Sequence, residues 1–92
     1  MSKTITVEVT AEDIAAGRPR RCYFCPIALA VRRALRRRDT GAVMVTPEQI
    51  TYHTGLVEHV HELPIEAMGF VGRFDAGEDV EPFTFELEVS GE

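Results

Sequence analysis

Residues 26–37, Pro-Ile-Ala-Leu-Ala-Val-Arg-Arg-Ala-Leu-Arg-Arg, leave the chain little choice of local structure. Pro26 has the fixed φ and missing N–H that suit a first helical position, which makes Cys25 the N-cap and puts Cys22 just ahead of it. At 3.6 residues per turn, Ile27, Ala30, Val31, Ala34 and Leu35 share one side, Arg32, Arg33, Arg36 and Arg37 cover the other, and Leu29 falls among the arginines. A helix whose apolar side is partly alanine can lie with its axis close to its support, and a sheet is the natural support. The spacing predicts helix and sheet sharing one core, with Asp39-Thr40-Gly41 as the helix stop.

The sheet is legible on either side of that helix. Ile5, Val7 and Val9 alternate with Thr6, Glu8 and Thr10, the period-two pattern of a strand with one buried face. Thr10 then caps a helix of about two turns, in which Glu12 and Asp13 sit near the positive end and Gly17 is expected to terminate in the left-handed conformation. Residues 42–46 read as a short strand broken by Pro47-Glu48. Residues 50–53 and 56–63 read as a hairpin with Thr54-Gly55 at the turn. That loop opposes His53 to Leu56, Tyr52 to Val57 and Ile50 to His59. Ile50, Tyr52, Val57, His59, His61 and Leu63 then share one face, and His53, Glu58, Val60 and Glu62 the other.

Pro64 opens a second substantial helix over about 65–74, with Ala67, Phe70, Val71 and Phe74 as its apolar stripe and Ala76-Gly77 as its end. Gly69 and Gly72 lie off the stripe, where each costs roughly 1 kcal/mol relative to Ala and leaves room for another backbone to approach. The last strand is the clearest: Phe83, Phe85, Leu87 and Val89 point inward, Thr84, Glu86 and Glu88 outward. It is expected to pair with the first strand. The order is β-α-α-β-β-β-α-β, and the fold class is α+β, a small, mostly antiparallel sheet with helices packed on one face, because a three-strand run argues against alternating βαβ winding. The 92 residues form a single domain, 1–92.

With 45% hydrophobic and 27% charged residues the chain has the means to bury a core and is not disordered in character. It has no apolar run of signal-peptide or bilayer length, which leads to the expectation of a soluble cytoplasmic protein without membrane contact. The net charge of −5 conceals segregation: residues 18–38 hold eight arginines and no acid, so +8 in this stretch leaves −13 for the rest. From Asp75 onward there are seven acids and no base. Two such poles can each steer a partner.

The chemistry-bearing residues are few. Cys22 and Cys25 offer three readings: a capped and packed helix start, a thiol pair for disulfide exchange, or half of a zinc site completed by His59 and His61, which converge as an i, i+2 pair on one strand face. The first needs no cofactor. No serine, carboxylate or further cysteine is placed to make a catalytic triad, so a non-enzyme is expected. Arg32, Arg33, Arg36 and Arg37 form the candidate partner-binding face. Arginine also suits phosphates, and Tyr23 and Phe24 either stack bases beside Arg20 and Arg21 or belong to the core. Against nucleic acid stands the acidic balance, with a pI near 5.2. A homo-oligomer, in which the arginine helix meets the acidic C-terminal part of a second copy, is a further reading.

Cys25-Pro26-Ile27-Ala28-Leu29-Ala30, and Arg73-Phe74-Asp75-Ala76-Gly77 followed by Val80-Glu81-Pro82-Phe83-Thr84-Phe85-Glu86-Leu87, resemble small uncharacterised proteins encoded by actinobacterial phages and prophages. Val9-Thr10-Ala11-Glu12-Asp13-Ile14 belongs to the same resemblance, which spans most of the chain. It implies a phage or prophage setting in a host cell, where small accessory proteins act by binding host or phage proteins, and it implies no activity for any residue. Together these readings lead to the expectation of protein–protein binding through the basic helix face or the acidic C-terminal region. A zinc or thiol-redox domain is the alternative and a nucleic-acid binder the second alternative.

Overall fold

The two ends of the chain pair with each other. In the computed structural model, which describes residues 2–21, 23–35 and 42–90, β1 (Ser2–Val9) runs antiparallel to β5 (Phe83–Ser90) from Ser2↔Ser90 to Val9↔Phe83. Both strands alternate, so this register lays their apolar rows side by side: Ile5 faces Leu87 and Val7 faces Phe85. Val7, Val9, Phe85 and Leu87 are buried.

Helix α2 (Pro26–Leu35) lies along β1 and also reaches β2 (Met44–Val45). Ile27, Ala28, Ala30 and Val31 are buried on it, as its pattern requires. Its N-cap is Cys25: the Sγ accepts the Ala28 N–H at 3.4 Å, and the carbonyl accepts the Leu29 N–H at 3.1 Å. The helix stop at Asp39-Thr40-Gly41, like Cys22, Arg36 and Arg37, lies outside the described residues.

The strands divide between two sheets rather than forming one. β2 pairs with β3 (Gln49–Thr54), and β3 with β4 (Val57–Glu62), all antiparallel. β2 is short. Its ladder holds only Met44↔Thr51 and Val45↔Ile50, because the chain turns at once, with Thr46 Oγ1 accepting the Gln49 N–H at 3.0 Å and Pro47 lacking an N–H to offer. α2 contacts both sheets and joins them into one core.

The hairpin turn sits one residue later than expected. Thr54 pairs with Val57, so Gly55-Leu56 is the loop, and Tyr52 opposes His59 and Ile50 opposes His61. Gly55 has φ +62°, the backbone demanded at the first position of a tight two-residue turn. A slip of two in the pairing preserves parity, so every residue keeps its expected face.

Helix α1 (Ala11–Ala16) starts in a capping box: Thr10 Oγ1 accepts the Asp13 N–H at 3.1 Å, and Asp13 Oδ2 accepts the Thr10 N–H at 2.9 Å. The expected left-handed Gly17 is corrected: its φ is −70° and ψ 161°, extended backbone open to any residue. The glycine is required by space, since a Cβ there would stand 2.6 Å from Cδ of Pro26. Helix α3 (Ile65–Asp75) buries Ala67, Phe70 and Val71. It closes in a Schellman motif, with Gly77 at φ +81°, its N–H donating to Phe74 O, and the Glu78 N–H donating to Arg73 O.

Candidate functional site

The close approach of Gly17 to the Pro26 ring holds the chain on either side of a loop whose described residues are 18–21 and 23–24. The Arg18 N–H donates to Phe24 O at 2.8 Å, and the Phe24 N–H to Arg21 O at 2.9 Å. At the tip Arg20 adopts φ +61°, a left-handed conformation that costs a non-glycine residue roughly 1–2 kcal/mol. It is held there by Asp75 at the end of α3: Oδ1 accepts the Arg20 N–H at 2.8 Å, and the Asp75 carbonyl accepts Arg20 Nε at 3.4 Å. The described side chains of the loop are exposed. Tyr23 is 45% and Phe24 52% exposed, and Arg18, Arg20 and Arg21 are exposed around them. Of the two readings open for the aromatic pair, the structure places it outside the core.

The arginine face of α2 divides. Arg33 turns back to the body of the protein, where Nη1 and Nη2 donate to Oδ1 and Oδ2 of Asp13, both at 2.8 Å, and Nη2 also donates to the Glu8 carbonyl at 2.7 Å. One guanidinium thus ties the end of β1, α1 and α2 together. Asp13 is only 4% exposed, and the Arg33 hydrogen bonds hold its carboxyl below the usual carboxylate range against the opposing effect of burial. Arg32 stays exposed, while Arg36 and Arg37 lie outside the described residues. The sequence pattern groups four arginines. It carries no sign that one of them binds an acid twenty positions away.

The described thiol and the imidazoles sit in different surroundings. Cys25 is buried and borders a cleft of about 190 Å³ lined also by Arg20, Arg21, Val45, Thr46 and Asp75. His59 and His61 stack on Tyr52, with ring centroids at 4.8 and 5.6 Å and planes inclined by 17° and 12°. His53 stands on the opposite face, its Nε2 3.9 Å from Glu58. Among the described residues no three His, Cys, Asp or Glu side chains are grouped to hold one ion, so Cys25, His59 and His61 do not by themselves form such a group. Cys22, the fourth member of the expected set, lies outside the described residues.

His61 is perturbed by its surroundings. Its Nε2 is buried with no hydrogen-bond partner among the described residues, and burial, reinforced by neighbouring His59 and opposed by Glu88 on β5, pushes its pKa below the ordinary 6.5. The unfolded chain therefore binds a proton more readily than the fold does. The His61 contribution is complete above about pH 6.5 and is lost as pH falls from there through the folded-state value. Urea unfolding of wild type and His61→Phe at pH 7.5 and 5.5 checks this: wild type should lose more stability than the variant on acidification. Equal losses would remove His61 as the cause.

A second concavity, of about 680 Å³, runs between α3 and the start of β5. Phe70, Phe83 and Val80 form its apolar part, Gly69 leaves it open, and Glu66, Asp79 and Glu81 give it an acidic rim that Arg73 interrupts. Gly69 on this helix and the acids that follow Asp75 stand apart in the sequence, and only the packing of α3 beside residues 79–84 brings them together. Among the described residues no helix is long and apolar enough to cross a membrane. The chain matches no protein-family model, no curated protein and no solved structure.

Proposed function

We propose that the protein is a small, non-enzymatic binding protein of the phage accessory type, working in the host cytoplasm by capturing an acidic protein partner on the 18–24 loop. One observation carries this reading: Tyr23 and Phe24 stand exposed among Arg18, Arg20 and Arg21 on a loop that backbone hydrogen bonds hold closed. Tyr and Arg are the side chains that dominate interface energetics, and a pre-ordered loop loses little entropy on binding. The arginines speed encounter with an acidic surface, and Arg32 on α2 adds to the positive pole. Arg33 contributes its charge only in part, since Asp13 neutralises it.

Two loop variants test this, Arg18→Gln/Arg21→Gln and Tyr23→Ala/Phe24→Ala, neither of which removes a buried side chain. Each should fold like wild type by circular dichroism and retain less than about a tenth of the partner in a pull-down from host lysate, a loss of about 1.4 kcal/mol. Undiminished capture by both discards the loop. The exposure of the aromatic pair also favours a second reading, single-stranded nucleic acid stacked on Tyr23 and Phe24. The net charge of −5 opposes it. Retention of the wild type on heparin that falls steeply with salt, and is lost in the same variants, would select it.

A further inference from the structure

We infer that the acidic, apolar-floored groove between α3 and β5 receives the 18–24 loop of a second copy of this chain, so that copies associate head to tail. This rests on the reading of the loop as a binding surface, and it names a partner for it. The groove and the loop are complementary in two respects. The groove offers aromatic and aliphatic floor at Phe70, Phe83 and Val80, and the loop offers two exposed aromatic rings, Tyr23 and Phe24. Glu66, Asp79 and Glu81 on the rim are exposed and acidic, and Arg18, Arg20 and Arg21 on the loop are exposed and basic. Opposite fields of this kind orient encounter and fix which ends meet.

A loop cannot fill the groove of its own chain. Asp75 anchors Arg20, and the cleft beneath the loop is lined by Val71 and Asp75 of α3, whereas Glu66, Gly69, Phe70 and Arg73 line the groove. At 3.6 residues per turn these two sets point about 170° apart around the helix, on either side of its buried stripe. The contact is therefore intermolecular and heterologous, using different surfaces on the two copies. A row of copies keeps one loop free at one end and one groove free at the other. The occupied groove is small, which places the contact among weak, salt-sensitive interfaces.

Sedimentation equilibrium over a concentration series at low and high salt tests this on the full chain. Wild type should associate with rising concentration and less so at high salt. Arg18→Gln/Arg21→Gln in the loop, and Glu66→Gln/Glu81→Gln in the groove, should each weaken association by about tenfold or more. An equimolar mixture of the two variants should restore a complex that stops at a 1:1 pair, because only one intact junction remains. A wild type monomeric throughout, or variants that associate like wild type, or a mixture that stays monomeric, would overturn the inference. Monomeric wild type whose loop variants still lose partner capture would overturn the groove alone and leave the loop reading standing. Loop variants unaltered in both self-association and capture would sink the two together.

Discussion

Replacing Asp13 with alanine is expected to lower the unfolding free energy by about 2–4 kcal/mol, measured by urea denaturation at neutral pH. Three losses combine. The capping box goes, leaving the Thr10 N–H without its acceptor, an effect of roughly 1 kcal/mol. The bidentate bond from Arg33 goes, and with it the link between α1 and α2. The Arg33 side chain is about half exposed, so its charge returns partly to water, which keeps the total below that of a fully buried pair. Arg33→Met is the informative partner. It leaves a nearly inaccessible carboxylate facing only its own cap, so it should cost as much as Asp13→Ala despite removing an exposed charge. The double variant should cost less than the sum by about 1–3 kcal/mol, and strict additivity would show that the pair is not coupled.

The same pair has a pH signature opposite in range to that of His61. The Asp13 pKa is depressed below 3.8, first through the Arg33 hydrogen bonds. Its contribution is present above the unfolded value and disappears as pH falls through the folded one, well below the range where His61 acts. The stability gap between wild type and Asp13→Ala should therefore narrow in strong acid, widen as pH rises to about 4 and stay constant above it.

Gly17→Ala is expected to cost about 2–3 kcal/mol, although helix-end substitutions of this kind are usually mild. The backbone there is ordinary, at φ −70°, so no conformational penalty is involved. The added methyl would meet Cδ, Cγ and N of Pro26 at 2.6, 2.7 and 2.8 Å. A proline ring at the first turn of a helix cannot swing aside. Either α2 or the 17–24 connection must move, and the latter would strain the Arg18 to Phe24 bond that closes the loop. Pro26→Ala in the same chain should recover part of the loss by removing the ring. If Gly17→Ala proves as stable as wild type in thermal unfolding, the close packing of these two residues is wrong.

The helix face of residues 26–35, the alternation in 5–9 and 83–89, the Thr10 cap and the glycine end of α3 are all visible in residue order. Each depends on contacts within a few positions, where spacing alone dictates which side chains share a face. Hairpin faces survived a misplaced turn for the same reason, since period two is insensitive to a slip of two. The candidate site was less legible. Tyr23 and Phe24 beside arginines suit a core or a surface equally until the Gly17–Pro26 contact and the Asp75 anchor turn the loop outward.

Residue order alone thus determined the elements, their sequence and the inward row of each strand and helix, because those follow from local periodicity and capping. The tertiary structure decided the rest: two sheets bridged by α2, Arg33 drawn to Asp13, and an acidic groove assembled from α3 and residues 79–84. Those outcomes depend on contacts between residues far apart in the chain. No pattern of spacing records which of several arginines, glycines or aromatic rings will meet a particular neighbour until the elements have packed.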